Sequence, residues 1–236
     1  MHNWAFVNRF TAQNVSFFCE WPNLSIFFRM MQLWLVTPPD DFSAEFDDIE
    51  QMFSRGLSRL FLQKRGRNGA PQASESDYER WLLGLPMECR DRIWVRGTPD
   101  MAERLEVHGC VCESGKLQGE VPRRWWRSNT VAQCSHPEEI AGLPPWVAQV
   151  MLGPVFQPLS ATEPVQNLLF EQLKTGLEAF NPDRIPLVLF GGMDQDVLEH
   201  VKPLAPAGIA ILGGIWNYAD PVNAFIKLKR TIDSLF

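Results

Sequence analysis

Two pairs of glycines are the residues of this sequence best suited to binding an anion. Gly191 and Gly192 follow the apolar run 187–190, and Gly213 and Gly214 follow the apolar run 208–212. Glycine has no Cβ, so its backbone N–H groups can approach a phosphate closely, and a helix that starts there adds a favourable dipole. These four glycines predict a phosphate site built from backbone alone. The alternative is that they only form tight turns between strands and helices.

Histidines and cysteines form a second set of reactive side chains, at alternate positions of two apolar runs. The first run carries His108, Cys110 and Cys112, and the second carries Cys134 and His136. Alternate residues share one face of a strand, so neighbouring strands could bring these groups within reach of a zinc ion. Buried cysteines more often behave as small apolar residues, and the Cys-x-Cys spacing is not that of common zinc sites. The sequence therefore assigns no metal site and leaves open whether this cluster binds an ion.

The elements that would position these residues alternate from Met31 to the end of the chain, as in a parallel sheet whose strands are joined by helices. The predicted strands are 32–37, 58–63, 92–95, 108–112, 130–134, 148–152, 187–190 and 208–212. The predicted helical segments are 44–56, 77–84, 99–106, a looser one around 122–127, 137–141, 165–180, 195–202 and 221–235. Asp77 and Asp220 are expected to cap their helices. The count predicts an α/β fold, a single (β/α)8 barrel over residues 31–236. An open doubly wound sheet would need a Gly-x-Gly-x-x-Gly turn after its first strand, which is absent.

The composition excludes several classes of protein. Hydrophobic residues make up 45% and charged residues 21% of the 236 residues, which is typical of a globular chain. The net charge of −6 offers no basic surface for nucleic acid, and no apolar run approaches the roughly 18 residues of a membrane span. Five cysteines are too few for a disulfide scaffold, so we expect a cytoplasmic protein. The oligomeric state stays open.

Residues 1–30 differ from the rest, because they hold eight large aromatic residues and show no regular period. Asn14, Ser16 and Glu20 interrupt each apolar block, which argues against a secretory signal. We predict an irregular N-terminal extension that adds little to the fold. The alternative is an aromatic arm that lies on the barrel or on a partner.

Two charged clusters are interpreted as ordinary surface. The basic and aromatic segment 123–127 is typical of a helix face that packs its indoles beneath solvated arginines. Asp40, Asp41, Asp47 and Asp48 are interpreted as a solvated turn followed by a helix N-terminus, where the helix dipole favours acidic residues.

Five segments, correctly ordered along the chain, resemble those of one known family. They are Leu33–Thr37, Cys134–His136 in place of a Ser-x-His motif, Leu152–Phe156 as a Gly-Pro-hydrophobic-Phe motif, Leu187–Met193 and Gly208–Ile215. On these segments the chain resembles the thiamine phosphate synthase/TenI family, and the resemblance covers nearly the whole barrel. A synthase of this family joins an aminopyrimidine diphosphate to a thiazole phosphate with release of pyrophosphate. The resemblance implies that magnesium and basic side chains hold the diphosphate.

At the diphosphate site the sequence departs from the family pattern. The second-strand motif Gln-x-Arg-x-Lys reads Phe61–Arg65, with Gln63 in place of the arginine. Arg96 and Gly97 stand where the family has an Asn-Asp pair, which removes a carboxylate that would bind the metal. The later departures are Lys116 near an expected aspartate, where Glu113 is the nearest carboxylate, 158–161 in place of Thr-x-(Ser/Thr)-Lys, and Gly213 in place of serine.

The resemblance nevertheless implies a set of substrate contacts. Gln63, Lys64, Arg65 and Arg96 are expected to contact the substrate or its diphosphate. Mg²⁺ is expected only if the chain is an active synthase. The expected partner is a phosphorylated thiazole or thiamine-type molecule on the four glycines, with neither nucleic acid nor membrane.

Three functions follow from this resemblance. The first is a thiamine phosphate synthase-like protein of thiamine biosynthesis with a degenerate diphosphate site. The second is a TenI-like thiazole tautomerase in which His136 moves protons, since a histidine pKa of about 6.5 suits general acid–base work. The third is a catalytically silent barrel that binds a phosphorylated ligand. The alternative role of His136 is to cap the helix that starts at Pro137.

Overall fold

Eight parallel strands close into one barrel in the computed structural model, which describes residues 31–67, 69–117, 129–157, 170–181 and 185–236. The strands pair in chain order, and the eighth pairs with the first. They are β1 Gln32–Val36, β2 Arg59–Leu62, β3 Ile93–Arg96, β4 Gly109–Glu113, β5 Thr130–Cys134, β6 Gln149–Leu152, β7 Leu187–Phe190 and β8 Gly208–Ile211. This confirms the predicted (β/α)8 barrel.

Helices of the described residues surround this barrel. The α-helices are α1 Glu45–Ser54, α2 Glu75–Leu82, α3 Pro99–Arg104, α4 Phe170–Phe180, α5 Leu198–Val201, α6 Gly213–Trp216 and α7 Pro221–Leu235. Short 3-10 helices cover Met87–Arg92, Ser114–Lys116, Pro137–Gly142 and Lys202–Leu204. No helix in the described ranges is long and apolar enough to cross a membrane. The predictions for 1–30, 122–127, 158–161 and the first part of 165–180 lie outside the described residues.

Three helix predictions need correction. Helix α2 begins two residues earlier than predicted, because the Ser74 hydroxyl accepts from the Asp77 amide while the Asp77 carboxylate accepts from the Ser74 amide. Helix α5 begins later than residue 195, because Asp194 Oδ1 accepts from the amide of Asp196 and holds a turn there. Helix α6 starts at Gly213, directly after β8, whereas the next helix predicted after that strand was 221–235.

One side chain from each strand fills the interior of the barrel. This layer consists of Trp34, Phe61, Trp94, Val111, Val131, Met151, Val188 and Ala210. The two indoles lie 4.8 Å apart between ring centroids, so large side chains from β1 and β3 occupy much of the axis. The interior is thus a packed core, and a ligand can enter only above this layer.

The neighbouring strand positions face outward and pack beneath the helices. Leu35, Leu60 and Val95 belong to one apolar cluster with Ile49 and Met52 of α1. Because side chains of a strand alternate between two faces, each strand contributes both to this outer core and to the barrel interior. The same alternation decides which residues reach the mouth of the barrel.

Candidate functional site

A cavity of about 240 Å³ lies at the carboxyl ends of the strands. The cavity is lined by Val36, Gln63, Arg96, Gln133 and Phe190, each two residues further along the chain than a member of the interior layer. Alternation therefore places these side chains on the axis, directly above the packed layer. The volume equals that of about eight water molecules, so the cavity suits a small ligand.

All four predicted phosphate-binding glycines, Gly191, Gly192, Gly213 and Gly214, line this cavity. The structure also gives two of them a packing reason. Gly192 has φ +62°, and a Cβ there would lie 2.5 Å from the carbonyl oxygen of Gln157. A Cβ on Gly214 would lie 2.5 Å from the carbonyl oxygen of Met193. The geometry thus gives a basis for both roles, tight turns and a phosphate site, because glycines that pack this closely also expose their backbone to the cavity.

The amides of Gly192, Gly213 and Gly214 are the groups that could hold an anion. No residue in the described ranges accepts a backbone hydrogen bond from them. Successive unpaired N–H groups carry partial positive charge and form concave sites for phosphate oxygens. The side of the cavity near β7 and β8 is therefore suited to a phosphate without using a charged side chain.

Polar side chains from β3 and the ends of β2 and β5 form another part of the cavity wall. The backbone of Gln63 is fixed by the Thr37 hydroxyl, which accepts from the Gln63 amide at 3.0 Å and donates to its carbonyl at 3.2 Å. Arg96 is held at 3.0 Å from Glu113 Oε1, and its carbonyl accepts from Gln72 Nε2 at 3.0 Å. These contacts orient the Gln63 backbone and Arg96 and leave the side-chain carboxamide of Gln63 available to a ligand.

Gln133 is a cavity residue that the sequence analysis missed. It lies on β5 two positions after Val131, and it is half-buried. The side-chain amides of Gln63 and Gln133 make no hydrogen bond to any residue that the structure describes. One sequence signal could have found it: Gln133 is a polar residue two positions after an apolar interior residue of a predicted strand, so it shares that residue's face.

Lys64 and Arg65, also predicted to contact substrate, lie outside this cavity. Lys64 is buried, and its Nζ lies 2.7 Å from both carboxylate oxygens of Glu45 and 3.0 Å from Asp41 Oδ1. Arg65 is 59% exposed and lies 3.4 Å from Asp40 Oδ2. Alternation explains the outcome for Lys64, since a residue next to Gln63 points away from the barrel axis.

His136 is exposed and does not line the cavity. It occupies the N-cap position of the 3-10 helix Pro137–Gly142, and its amide donates to Glu139 Oε1 at 3.0 Å. Glu139 also accepts from the Ser135 amide and from the Ser114 hydroxyl. The structure thus places His136 in the capping position, and its role in proton transfer stays a prediction.

The cysteines of β4 and β5 are buried thiols. Burial raises the pKa of Cys110 and of Cys134 to about 12, so both are protonated at neutral pH. Cys110 Sγ lies 4.0 Å from the Thr130 hydroxyl. In the described parts of the chain, no group of three His, Cys, Asp or Glu side chains could hold a metal ion.

Magnesium is the ion that the family resemblance implies, and the described residues do not fit it. The described residues that line the cavity include no carboxylate. Glu113, the nearest substitute on β4, is paired with Lys116 at 2.8 Å and with Arg96 at 3.0 Å. The hydrogen bonds from Lys116 and Arg96 lower the pKa of Glu113. A carboxylate held by two basic side chains is a poor ligand for a second cation.

Comparison with solved structures places the fold beside several barrel enzymes. Thiamine phosphate pyrophosphorylase from Pyrococcus furiosus is 17% identical, with a TM-score of 0.64 over 88% of this chain and 98% of that chain. The corresponding protein from Bacteroides thetaiotaomicron is 22% identical, with a TM-score of 0.60 over 87% and 97%. Tryptophan synthase subunit alpha from Legionella pneumophila is 12% identical, with a TM-score of 0.59 over 87% and 92%. No protein-family model and no curated protein matches the sequence. At these identities the likeness shows the fold alone, a (β/α)8 barrel that enzymes of different activities share.

Proposed function

We propose that this chain is a thiamine phosphate synthase-like protein that binds a phosphorylated heterocycle in the cavity at the barrel mouth. The observation that carries the proposal is the make-up of the cavity. On one side lie the amides of Gly192, Gly213 and Gly214, which donate no backbone hydrogen bond to a described residue, and on another lie Gln63, Arg96 and Gln133. The phosphate would accept hydrogen bonds from the amides of Gly192, Gly213 and Gly214. Thiazole phosphate and thiamine phosphate are the first candidates, because the solved neighbours include thiamine phosphate pyrophosphorylases.

The two side-chain amides suit the ring of such a ligand. A carboxamide offers both a donor and an acceptor, so Gln63 and Gln133 can pair with ring nitrogens or with exocyclic amino groups. Val36, Phe61 and Phe190 supply apolar surface to the same cavity. A cavity with apolar walls and a few polar groups is typical of small-molecule sites.

Synthase turnover is not part of the proposal. That reaction needs a diphosphate held by basic side chains and magnesium, and Lys64, Arg65 and Glu113 are engaged in ion pairs. The tautomerase alternative depends on His136, which is not among the residues around the cavity. We therefore expect ligand binding with little or no formation of thiamine phosphate.

Calorimetry with the whole chain tests this proposal. Thiazole phosphate should bind saturably, and the corresponding alcohol should bind about 10–100-fold more weakly, because hydrogen bonds to a charged group contribute about 1.5–3 kcal/mol. Gln133→Leu should weaken binding, whereas Gln51→Leu, the same change on the exposed face of α1, should not. Equal affinity for the phosphate and the alcohol would exclude a phosphate site. A parallel assay with aminopyrimidine diphosphate and magnesium reports any synthase activity.

A further inference from the structure

A second cavity opens at the same end of the barrel, between the segment after β1 and the segment after β8. Its volume is about 480 Å³. We call it the aromatic groove, and its main walls are Pro39, Phe42, Asp48, Trp216, Tyr218 and Pro221. Leu212 lines both this groove and the cavity that holds the four glycines, which we call the glycine cavity, so the two sites share a wall.

Trp216 and Phe42 contact each other in the groove, and Phe42 and Tyr218 are partly exposed. The Trp216 indole donates from Nε1 to the carbonyl of Val36 at 2.8 Å, and Phe42 packs edge-on against it with ring centroids 5.4 Å apart. Phe42 is 39% exposed and Tyr218 is 58% exposed. They are two of the four large apolar side chains that are exposed in the described residues. Partly exposed aromatic rings that line an open groove are suited to stacking against a flat ligand.

The groove also carries a negative charge without a basic partner. At this end of the barrel Asp40 pairs with Arg65 and Asp41 pairs with Lys64. Asp48 is half-buried in the groove wall and forms no ion pair with any described lysine or arginine. Burial raises the pKa of Asp48, and the charges of Asp220 and Asp47 raise it further. A cation in the groove would relieve this repulsion.

We propose that the aromatic groove binds a planar organic cation. The ring would stack on Trp216 and Tyr218, and its positive charge would face the Asp48 carboxylate. Aromatic faces and a carboxylate together attract such cations, because the ring quadrupole and the charge act in the same direction. This ligand carries no phosphate, so its binding does not depend on the function proposed for the glycine cavity.

The test uses two flat probes of nearly equal shape. N-methylquinolinium carries a permanent positive charge, and quinoline is uncharged at neutral pH. Titration of the whole chain, followed by nuclear magnetic resonance or calorimetry, should show saturable binding of N-methylquinolinium and at least about tenfold weaker binding of quinoline. Inorganic phosphate should not compete with the cation.

Matched variants locate the site. Asp48→Asn should weaken binding of N-methylquinolinium about 5–30-fold and leave the affinity for quinoline unchanged, because it removes the charge at constant size. Asp47→Asn removes the neighbouring exposed charge on the same helix and should leave the affinity within about twofold. Tyr218→Ala should weaken binding of both probes, because it removes a stacking surface. Circular dichroism and urea unfolding show that each variant is folded.

Three results would overturn the proposal. The first is equal binding of the charged and uncharged probes, and the second is binding of the cation that Asp48→Asn does not change. The third is a dimer in sedimentation velocity that Tyr218→Ala dissociates and that does not bind the probe, because the groove would then be a contact between copies of this chain.

Discussion

Lys64→Met separates a structural role of Lys64 from the ligand-binding role that the family motif implies. The ammonium lies 2.7 Å from each carboxylate oxygen of Glu45 and 3.0 Å from Asp41 Oδ1. Asp41 stays hydrated when the lysine is lost, because 69% of its side chain is exposed, whereas the Glu45 side chain is fully buried. Removing the partner of a buried charge costs about 3–5 kcal/mol, and we expect the free energy of unfolding to fall by that amount.

Thermal and urea unfolding measure this loss. In a chain of this length, roughly 2–4 °C per kcal/mol gives a fall in Tm of about 6–20 °C. Fluorescence and circular dichroism should give coincident urea transitions, which permits a free energy to be extracted. The double variant Lys64→Met with Glu45→Leu should recover most of the stability, because apolar side chains replace both charges. The affinity for thiazole phosphate should stay within about twofold.

The pH dependence gives this prediction a second measurement. Burial raises the pKa of Glu45 above its usual 4.5, although Lys64 opposes the rise. A raised folded-state pKa favours the folded chain below about pH 4.5, and this contribution is lost as the pH rises through the folded-state pKa. Without Lys64 that pKa rises further, so the deficit of Lys64→Met should be largest at neutral pH and shrink toward pH 4.5. Full stability with lost binding of thiazole phosphate would refute the structural role and make Lys64 a ligand residue.

Three further predictions concern other parts of the barrel. Ser74→Ala removes the reciprocal cap with Asp77 and should lower the free energy of unfolding by about 1 kcal/mol in urea, with little change for Ser54→Ala. Gly192→Ala should cost about 1–3 kcal/mol by thermal unfolding, because its φ is +62°; Gly142→Ala, with no atom within 4 Å of its Cβ, is the control. Cys110 and Cys134 should stay unlabelled by a thiol reagent at neutral pH until urea unfolds the chain, because burial raises their pKa to about 12; mass spectrometry assigns the labelled peptides, and labelling of either in the folded chain would contradict this.

The fold could be predicted because its signals are local. Each strand is a short apolar run that alternates with an amphipathic segment, and two strands, Thr130–Cys134 and Leu187–Phe190, begin and end where the sequence places them. Helix ends were harder to predict, because they depend on side-chain hydrogen bonds such as the reciprocal pair of Ser74 and Asp77. The composition of a segment does not reveal which of several polar residues forms the cap.

The candidate site was only partly predictable. The four glycines, Gln63 and Arg96 meet at one cavity, since each lies at the carboxyl end of its strand. Lys64 was assigned by resemblance to a motif, and its burial against Glu45 depends on a helix 19 residues earlier in the chain. Gln133 lies on a strand whose bounds were predicted, but without knowing which face of that strand points to the axis it could not be assigned to the cavity.

Charge pairing, rather than the fold, decides which ligand the barrel mouth suits. Each of the three basic side chains expected to hold a diphosphate already faces a carboxylate: Lys64 faces Glu45, Arg65 faces Asp40 and Arg96 faces Glu113. A diphosphate must compete with these carboxylates, and the described residues around the cavity supply no carboxylate for a magnesium ion that would neutralise it. The amides of Gly192, Gly213 and Gly214 carry partial positive charge, and in the described part of the chain they donate no backbone hydrogen bond that a ligand would have to displace. A single phosphate bound there, as we propose, would break no ion pair among the described residues, and this is why we favour a monophosphate ligand.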